Sequence, residues 1–207
     1  MLRMIDKIRR RAVLSSVAVL LFAGVASGIS GCTSAMEQKA MEENPLNFTL
    51  VAVSSAPLVG EVKPLLIISG YGTFGSDWVD AGGGYTYADL ETDIPKTVLS
   101  TGTWKATEVV RWTPAEGGAT YGRINPGILD LLVTLTPQDG PVIEGAALRI
   151  NCLVGLAGIK NNDPDDGTEL AEGFWMTIPA TATFGGLTGV GQFAPLDPII
   201  GVTEIAR

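Results

Sequence analysis

From Asn47 onward, apolar and polar residues alternate with a period of two rather than recurring every three or four positions. The clearest run is 103–112, where Trp104, Ala106, Val110 and Trp112 alternate with Thr103, Lys105, Thr107 and Arg111, the pattern of a strand with one buried face. In 128–136, Leu129, Leu131, Val133 and Leu135 share one side, and in 146–154 Ala146, Leu148, Ile150, Cys152 and Val154 stand opposite Arg149 and Asn151. Segments 48–53, 65–74, 84–90, 173–178 and 199–205 read as further strands, separated by Gly and Pro clusters at 82–84, 114–118, 137–141 and 163–167. Nothing after Pro45 holds helical spacing long enough to cross between parallel strands. The pattern therefore predicts an all-β domain over 47–207, built as a single antiparallel β-barrel, with a two-sheet β-sandwich as the alternative. Closure favours the barrel because it removes exposed edges.

The first part of the chain follows different rules. Residues 1–11 carry Arg3, Lys7, Arg9, Arg10 and Arg11 against a single Asp6, and residues 12–26 are small or apolar almost throughout. A basic segment followed by an apolar run shorter than the ~20 residues of a membrane span reads as a secretory signal. It ends in Ile29-Ser30-Gly31-Cys32, which resembles the lipobox of prokaryotic lipoproteins. The resemblance implies cleavage before Cys32 and acylation of its thiol, with residues 1–31 as signal peptide. Thr33 after the cysteine, rather than Asp, points toward the outer membrane where the host has two. Arg10-Arg11-Ala12-Val13-Leu14 also resembles the core of a twin-arginine signal, with Arg9 in place of the usual Ser or Thr. Residues 32–46, the lipidated cysteine and a polar stretch without an apolar face, read as a tether.

Separating this leader changes the charge. Residues 1–32 hold five basic and one acidic side chain, so the formal charge of -8 for the whole chain becomes -12 for the remainder. Such a surface repels nucleic acid and anionic headgroups, and no nucleic-acid partner is expected. Of the two cysteines only Cys152 then remains, and no intramolecular disulfide is expected. The chain has no histidine, which removes the Ser-His-Asp triad, the Cys-His dyad and the usual His-containing metal sites.

Several motifs compete with plain structural readings. Gly70, Gly72 and Gly75 have dinucleotide-binding spacing, but no helix start follows to receive a pyrophosphate, so they read as a glycine-bent strand. Gly102-Thr103-Trp104 resembles the Gly-x-Trp of lipocalins; that family carries it on its first barrel strand, whereas several strands precede it here, which makes Trp104 a core residue. Glu108 falls in register with Trp104, Ala106, Val110 and Trp112, so an unbroken strand would place its carboxyl on the apolar side. There it needs a partner such as Arg123 or Arg149, a wet cavity, or a bulge that turns it to solvent. In 161–172, oxygen-bearing side chains at Asn161, Asp163, Asp165, Glu169 and Glu172 follow calcium-loop spacing, although Asp166 stands where the sharp turn wants Gly. A solvated acidic loop and an irregular calcium site are the two readings. Cys152, on an apolar face without a histidine, reads as an inert core thiol.

Stretches such as 100–107 and 151–155 resemble small secreted β-rich prokaryotic proteins, a likeness that supports the strand reading and carries no activity. Three function classes remain. The first is a lipid-anchored, extracytoplasmic, non-catalytic binding or interaction module of the cell envelope. The second is a carrier whose barrel holds a small apolar ligand between Trp104 and Trp112, with Glu108 orienting its polar end. The third is an enzyme working with carboxylates alone. The anchor is checked by fractionation: Cys32→Ala should leave the chain soluble or as unprocessed precursor, and unchanged membrane association would refute the lipobox reading.

Overall fold

A computed structural model of the chain describes residues 44–91, 97–115, 122–153, 161–197 and 199–207. Cys32, the leader and most of the tether lie outside them. All regular structure among the described residues is strand: β1 (Leu46–Ser55), β2 (Pro64–Phe74), β3 (Val79–Asp89), β4 (Val98–Pro114), β5 (Gly127–Pro137), β6 (Ile143–Cys152), β7 (Asn161–Asn162), β8 (Glu169–Leu170), β9 (Gly173–Thr177), β10 (Thr183–Phe184), β11 (Leu187–Thr188), β12 (Ala194–Pro195) and β13 (Gly201–Ala206).

Strands β1 to β6 form an antiparallel meander in sequence order, β9 adds to β6, and β12 and β13 both pair with β1. The sheet curls until its two ends meet, giving a nearly closed antiparallel barrel, as the alternation predicted. A full ladder does not join the ends. Met176 and Phe193 exchange both backbone hydrogen bonds, at 3.1 and 2.8 Å. Beside them, Ser54 Oγ donates to the carbonyl of Phe174 and Thr203 Oγ1 to that of Asn151, each at 2.7 Å. Ser54 and Thr203 are fully buried, so these hydroxyls satisfy strand carbonyls that water does not reach. The Asn125 N–H to the Ile205 carbonyl, 2.7 Å, ties the far end of β13 to the approach to β5.

The inward faces fill the interior. Leu50, Leu66, Ile68, Leu129, Val133 and Ile150 have no exposed surface, and burial of such side chains contributes ~1.5–3 kcal/mol each. Aromatic rings occupy the rest, and they lie flat because glycines beneath them carry no Cβ. The indole of Trp104 on β4 crosses β3, where Gly83 is its register partner, and reaches Gly70 of β2. A Cβ on Gly70 would collide with the indole and lie 2.7 Å from the carbonyl of Gly82. So placed, the indole donates from Nε1 to the carbonyl of Ser69 at 3.0 Å and stacks on Phe48, centroids 6.4 Å apart. Tyr85 lies over its own partner, Gly102, in the same way: a Cβ there would sit 2.7 Å from the phenol oxygen.

This corrects one boundary. Gly82, Gly83 and Gly84 do not separate strands; they lie inside β3, which begins at Val79. The spacing Gly70, Gly72, Gly75 belongs to β2 and its turn, the glycine-bent strand that was expected.

Gly70→Ala should destabilise the domain by about 1–3 kcal/mol in denaturant titration, since the indole or β2 must shift. In a Trp104→Phe background the same change should cost less, because the smaller ring vacates part of the space. Equal costs in both backgrounds would separate Gly70 from the indole.

Candidate functional site

The sequence placed Trp104, Glu108 and Trp112 on one face. The strand is not unbroken. Against β5, the register of β4 shifts between Ala106 and Glu108 and again between Val109 and Arg111. These are two bulges, each inserting one residue that has no partner. The Thr107 hydroxyl supports the first by donating to the carbonyl of Leu132 at 3.1 Å. Glu108 consequently stands opposite Leu132 and is exposed, while Val109 turns inward opposite Leu131. Trp104 is buried, and Trp112 returns to the interior side with its ring edge-on to Phe74 at 5.5 Å. The two tryptophans are therefore packing residues separated from the carboxylate by the barrel wall, and the three do not converge on a ligand.

The same bulges build a charged cluster on the outer wall. They advance β4 by two residues, so Arg111 pairs with Asp130, which pairs in turn with Arg149 on β6. Arg111 donates from Nε and Nη2 to Asp130 Oδ2 at 3.0 and 2.9 Å, and Arg149 donates from Nε to Oδ1 at 2.6 Å. The remaining guanidinium hydrogens reach the acidic loop. Arg111 Nη1 and Nη2 each meet a carboxylate oxygen of Asp165 at 3.0 Å, and Arg149 Nη1 donates to Asp163. Two guanidiniums thus hold three carboxylates, and the loop from β7 to β8 is clamped onto the barrel. Hydrogen bonds from Arg111 and then Arg149 push the exposed Asp165 carboxyl down to about 2. Both guanidiniums are held above their ordinary range, Arg111 chiefly by Asp165 and Arg149 chiefly by Asp130.

This arrangement disperses the five oxygen-bearing residues proposed for calcium. Asp163 and Asp165 face arginines. Asn161 is buried and donates to Asn151 Oδ1 and to the carbonyl of Cys152. Glu169 sits in β8 as the register partner of Asn162, and Glu172 Oε1 accepts from the Thr203 N–H at 3.3 Å. Among the described residues no group of three or more His, Cys, Asp or Glu side chains is arranged to hold a metal. Asp130, Asp163 and Asp165 take their counter-charge from within the protein, from two guanidiniums that the strand register carries to them. Cys152 is fully buried in the hydrophobic core.

The alternation puts Arg111 and Arg149 on polar faces and offers Arg149 to Glu108, whereas Arg149 is engaged by Asp130 and Asp163, and Asp130 is not singled out by the pattern. The available signal was a single carboxylate inside the apolar run Ile128-Leu129-Asp130-Leu131-Leu132, in phase with the polar face.

Carboxyl NMR titration should give Asp165 a midpoint near 2, rising toward the ordinary 3.8 when Arg111 is replaced by Gln. Because the folded value is depressed, the contribution of this carboxylate to stability is present above the ordinary carboxylate range and is lost as the pH falls toward about 2. A midpoint unmoved by Arg111→Gln would contradict the clamp.

Comparison with models of known protein families, with curated proteins and with solved structures finds no match to this chain.

Proposed function

We propose that this protein is a lipid-anchored, extracytoplasmic β domain that acts as a non-catalytic binding or interaction module of the cell envelope, and that the outer wall formed by β13, β1 and β2 is its contacting face. The anchor rests on the basic and apolar leader and on Ile29-Ser30-Gly31-Cys32. Where the host has two membranes, Thr33 favours the outer one.

The observation that carries the binding reading is an apolar surface on that wall. Val51 and Val202 are register partners, 52% and 55% exposed. Tyr71, 76% exposed, is the partner of Thr49, and Ile67 is the partner of Val53, whose N–H bonds to the carbonyl of exposed Ile200 at 2.9 Å. Scattered exposed hydrophobics are ordinary, but neighbours on three adjacent strands form a patch of the kind that marks interaction sites. The opposite wall carries Glu108, Lys105 and the arginine–aspartate cluster, which concentrates paired charge on the side away from this patch. Non-catalytic action is supported by the lack of histidine and by the engagement of Asp130, Asp163 and Asp165 with arginine.

A photo-crosslinking side chain at Tyr71 should give discrete adducts in intact cells, and one at Glu108 should not. Val51→Lys with Val202→Glu, an opposite-charge pair across the strand register, should abolish those adducts with little change in melting temperature, because both positions face solvent. Equal labelling from both walls, or adducts that survive the double substitution, would overturn this assignment.

A further inference from the structure

Two phenols inside the barrel are left without partners. Tyr85 and Tyr87, two apart on β3, both point inward; they are 5% and 0% exposed, and neither hydroxyl has a hydrogen-bond partner. Ser100 stands near Tyr85 and offsets part of the upward push that burial gives its pKa, but from outside hydrogen-bonding geometry. Leaving a buried hydroxyl unsatisfied costs about 1–3 kcal/mol. Two such groups on one interior wall call for an acceptor.

What covers them is not part of the barrel ladder. Strands β10 and β11 form their own two-stranded sheet, turning at Gly185 and Gly186 with φ of 56° and 83°. Positive φ at both turn residues favours glycine, and a Cβ on Gly185 would collide with the Tyr87 ring. The hairpin therefore lies directly on Tyr87 and delivers Phe184 into the barrel end. Phe184 is fully buried, stacked on Tyr87 at 4.5 Å with 13° between planes, 5.5 Å from Tyr85, and edge-on to Phe193 at 6.4 Å. A flat ring already occupies an aromatic box, beside two hydroxyls with nothing to bind.

We propose that this end of the barrel is a binding site for a small neutral molecule with a flat apolar body and a hydrogen-bond-accepting oxygen, whose place is held by Phe184 when the site is empty. The body replaces the Phe184 ring on Tyr87 as the hairpin moves aside, and the oxygen accepts from the phenols. Neutrality follows from the surroundings. Burial, with the Asp89 carboxylate adding to it, pushes the Tyr87 phenol up to about 12, so the phenol remains a donor near neutral pH and the nearby carboxylate disfavours an anion. The site is inside the barrel and separate from the outer wall formed by β13, β1 and β2.

The probe is Prodan, a neutral naphthalene ketone whose emission reports apolar surroundings, titrated into the full chain carrying Cys32→Ser so that no acyl chain competes. Saturable binding with a blue shift is expected. Tyr85→Phe with Tyr87→Phe should weaken it about tenfold or more, as loss of two hydrogen bonds implies, while the melting temperature holds or rises. Phe184→Leu, which keeps an apolar plug but no stacking ring, should tighten binding. Absence of saturable binding would mean that water alone serves the phenols and would overturn the proposal. Affinity unchanged in the double phenylalanine variant would overturn it as well.

Discussion

The barrel depends on aromatic rings lying flat against backbone that carries no Cβ. A barrel of this width is closed only if its interior is filled, and here the filling is done by side chains that span more than their own strand. Trp104 reaches across Gly83 to Gly70 and ends against Phe48; Tyr85 lies over Gly102; Tyr87 lies against Gly185. In each case the ring takes the volume that a Cβ would have claimed. The glycines that look from sequence like breaks in strand structure are what allow β2, β3 and β4 to curl tightly around these rings. The flexibility that glycine brings to a strand is offset by the apolar surface the rings bury.

Closure and surface chemistry follow from smaller irregularities. The meander alone would leave β1 and β9 as open edges; the chain's last segment pairs β12 and β13 with β1 and meets β9 through the bridge between Met176 and Phe193. Two buried hydroxyls, on Ser54 and Thr203, complete the join where strand pairing stops. On the other side, the bulges in β4 move Glu108 out, bring Val109 in, and set Arg111 beside Asp130. One pair of inserted residues thus removes a carboxylate from the interior and supplies a guanidinium that holds the acidic loop. The result is a barrel with one wall braced by its own ion pairs and another that exposes Val51, Val202 and Tyr71.

Period-two alternation was enough to read β5 and β6 almost to their ends, because one face of each stays on the core throughout, even where Ile128, Asp130 and Asn151 on the other face are covered as well. It was enough for the first half of β4, through Ala106, and failed beyond it. A bulge leaves no mark in a hydrophobic pattern when the inserted residue is Thr107 or Val110, either of which suits a strand. The acidic loop failed for a different reason. Spacing along 161–172 counts oxygens correctly, but whether they turn toward a shared centre or toward cations depends on Arg111 and Arg149, which are distant in sequence. Tyr85 and Tyr87 gave no signal, because a tyrosine on an inward face looks the same whether its hydroxyl is satisfied or not.

By itself, then, the sequence determined the fold class, the antiparallel character of the strands, the core faces of β5, β6 and the first half of β4, and the chemistry that a chain without histidine forgoes. These are set by composition and by local periodicity, which neighbouring residues fix together. Only the tertiary structure decided the register of β4 against β5, the partners of the acidic loop, the pairing of β12 and β13 with β1, and the Phe184 hairpin over two unpartnered phenols. Each of these depends on residues far apart in the chain meeting at distances of a few ångströms, and no local pattern records such a meeting.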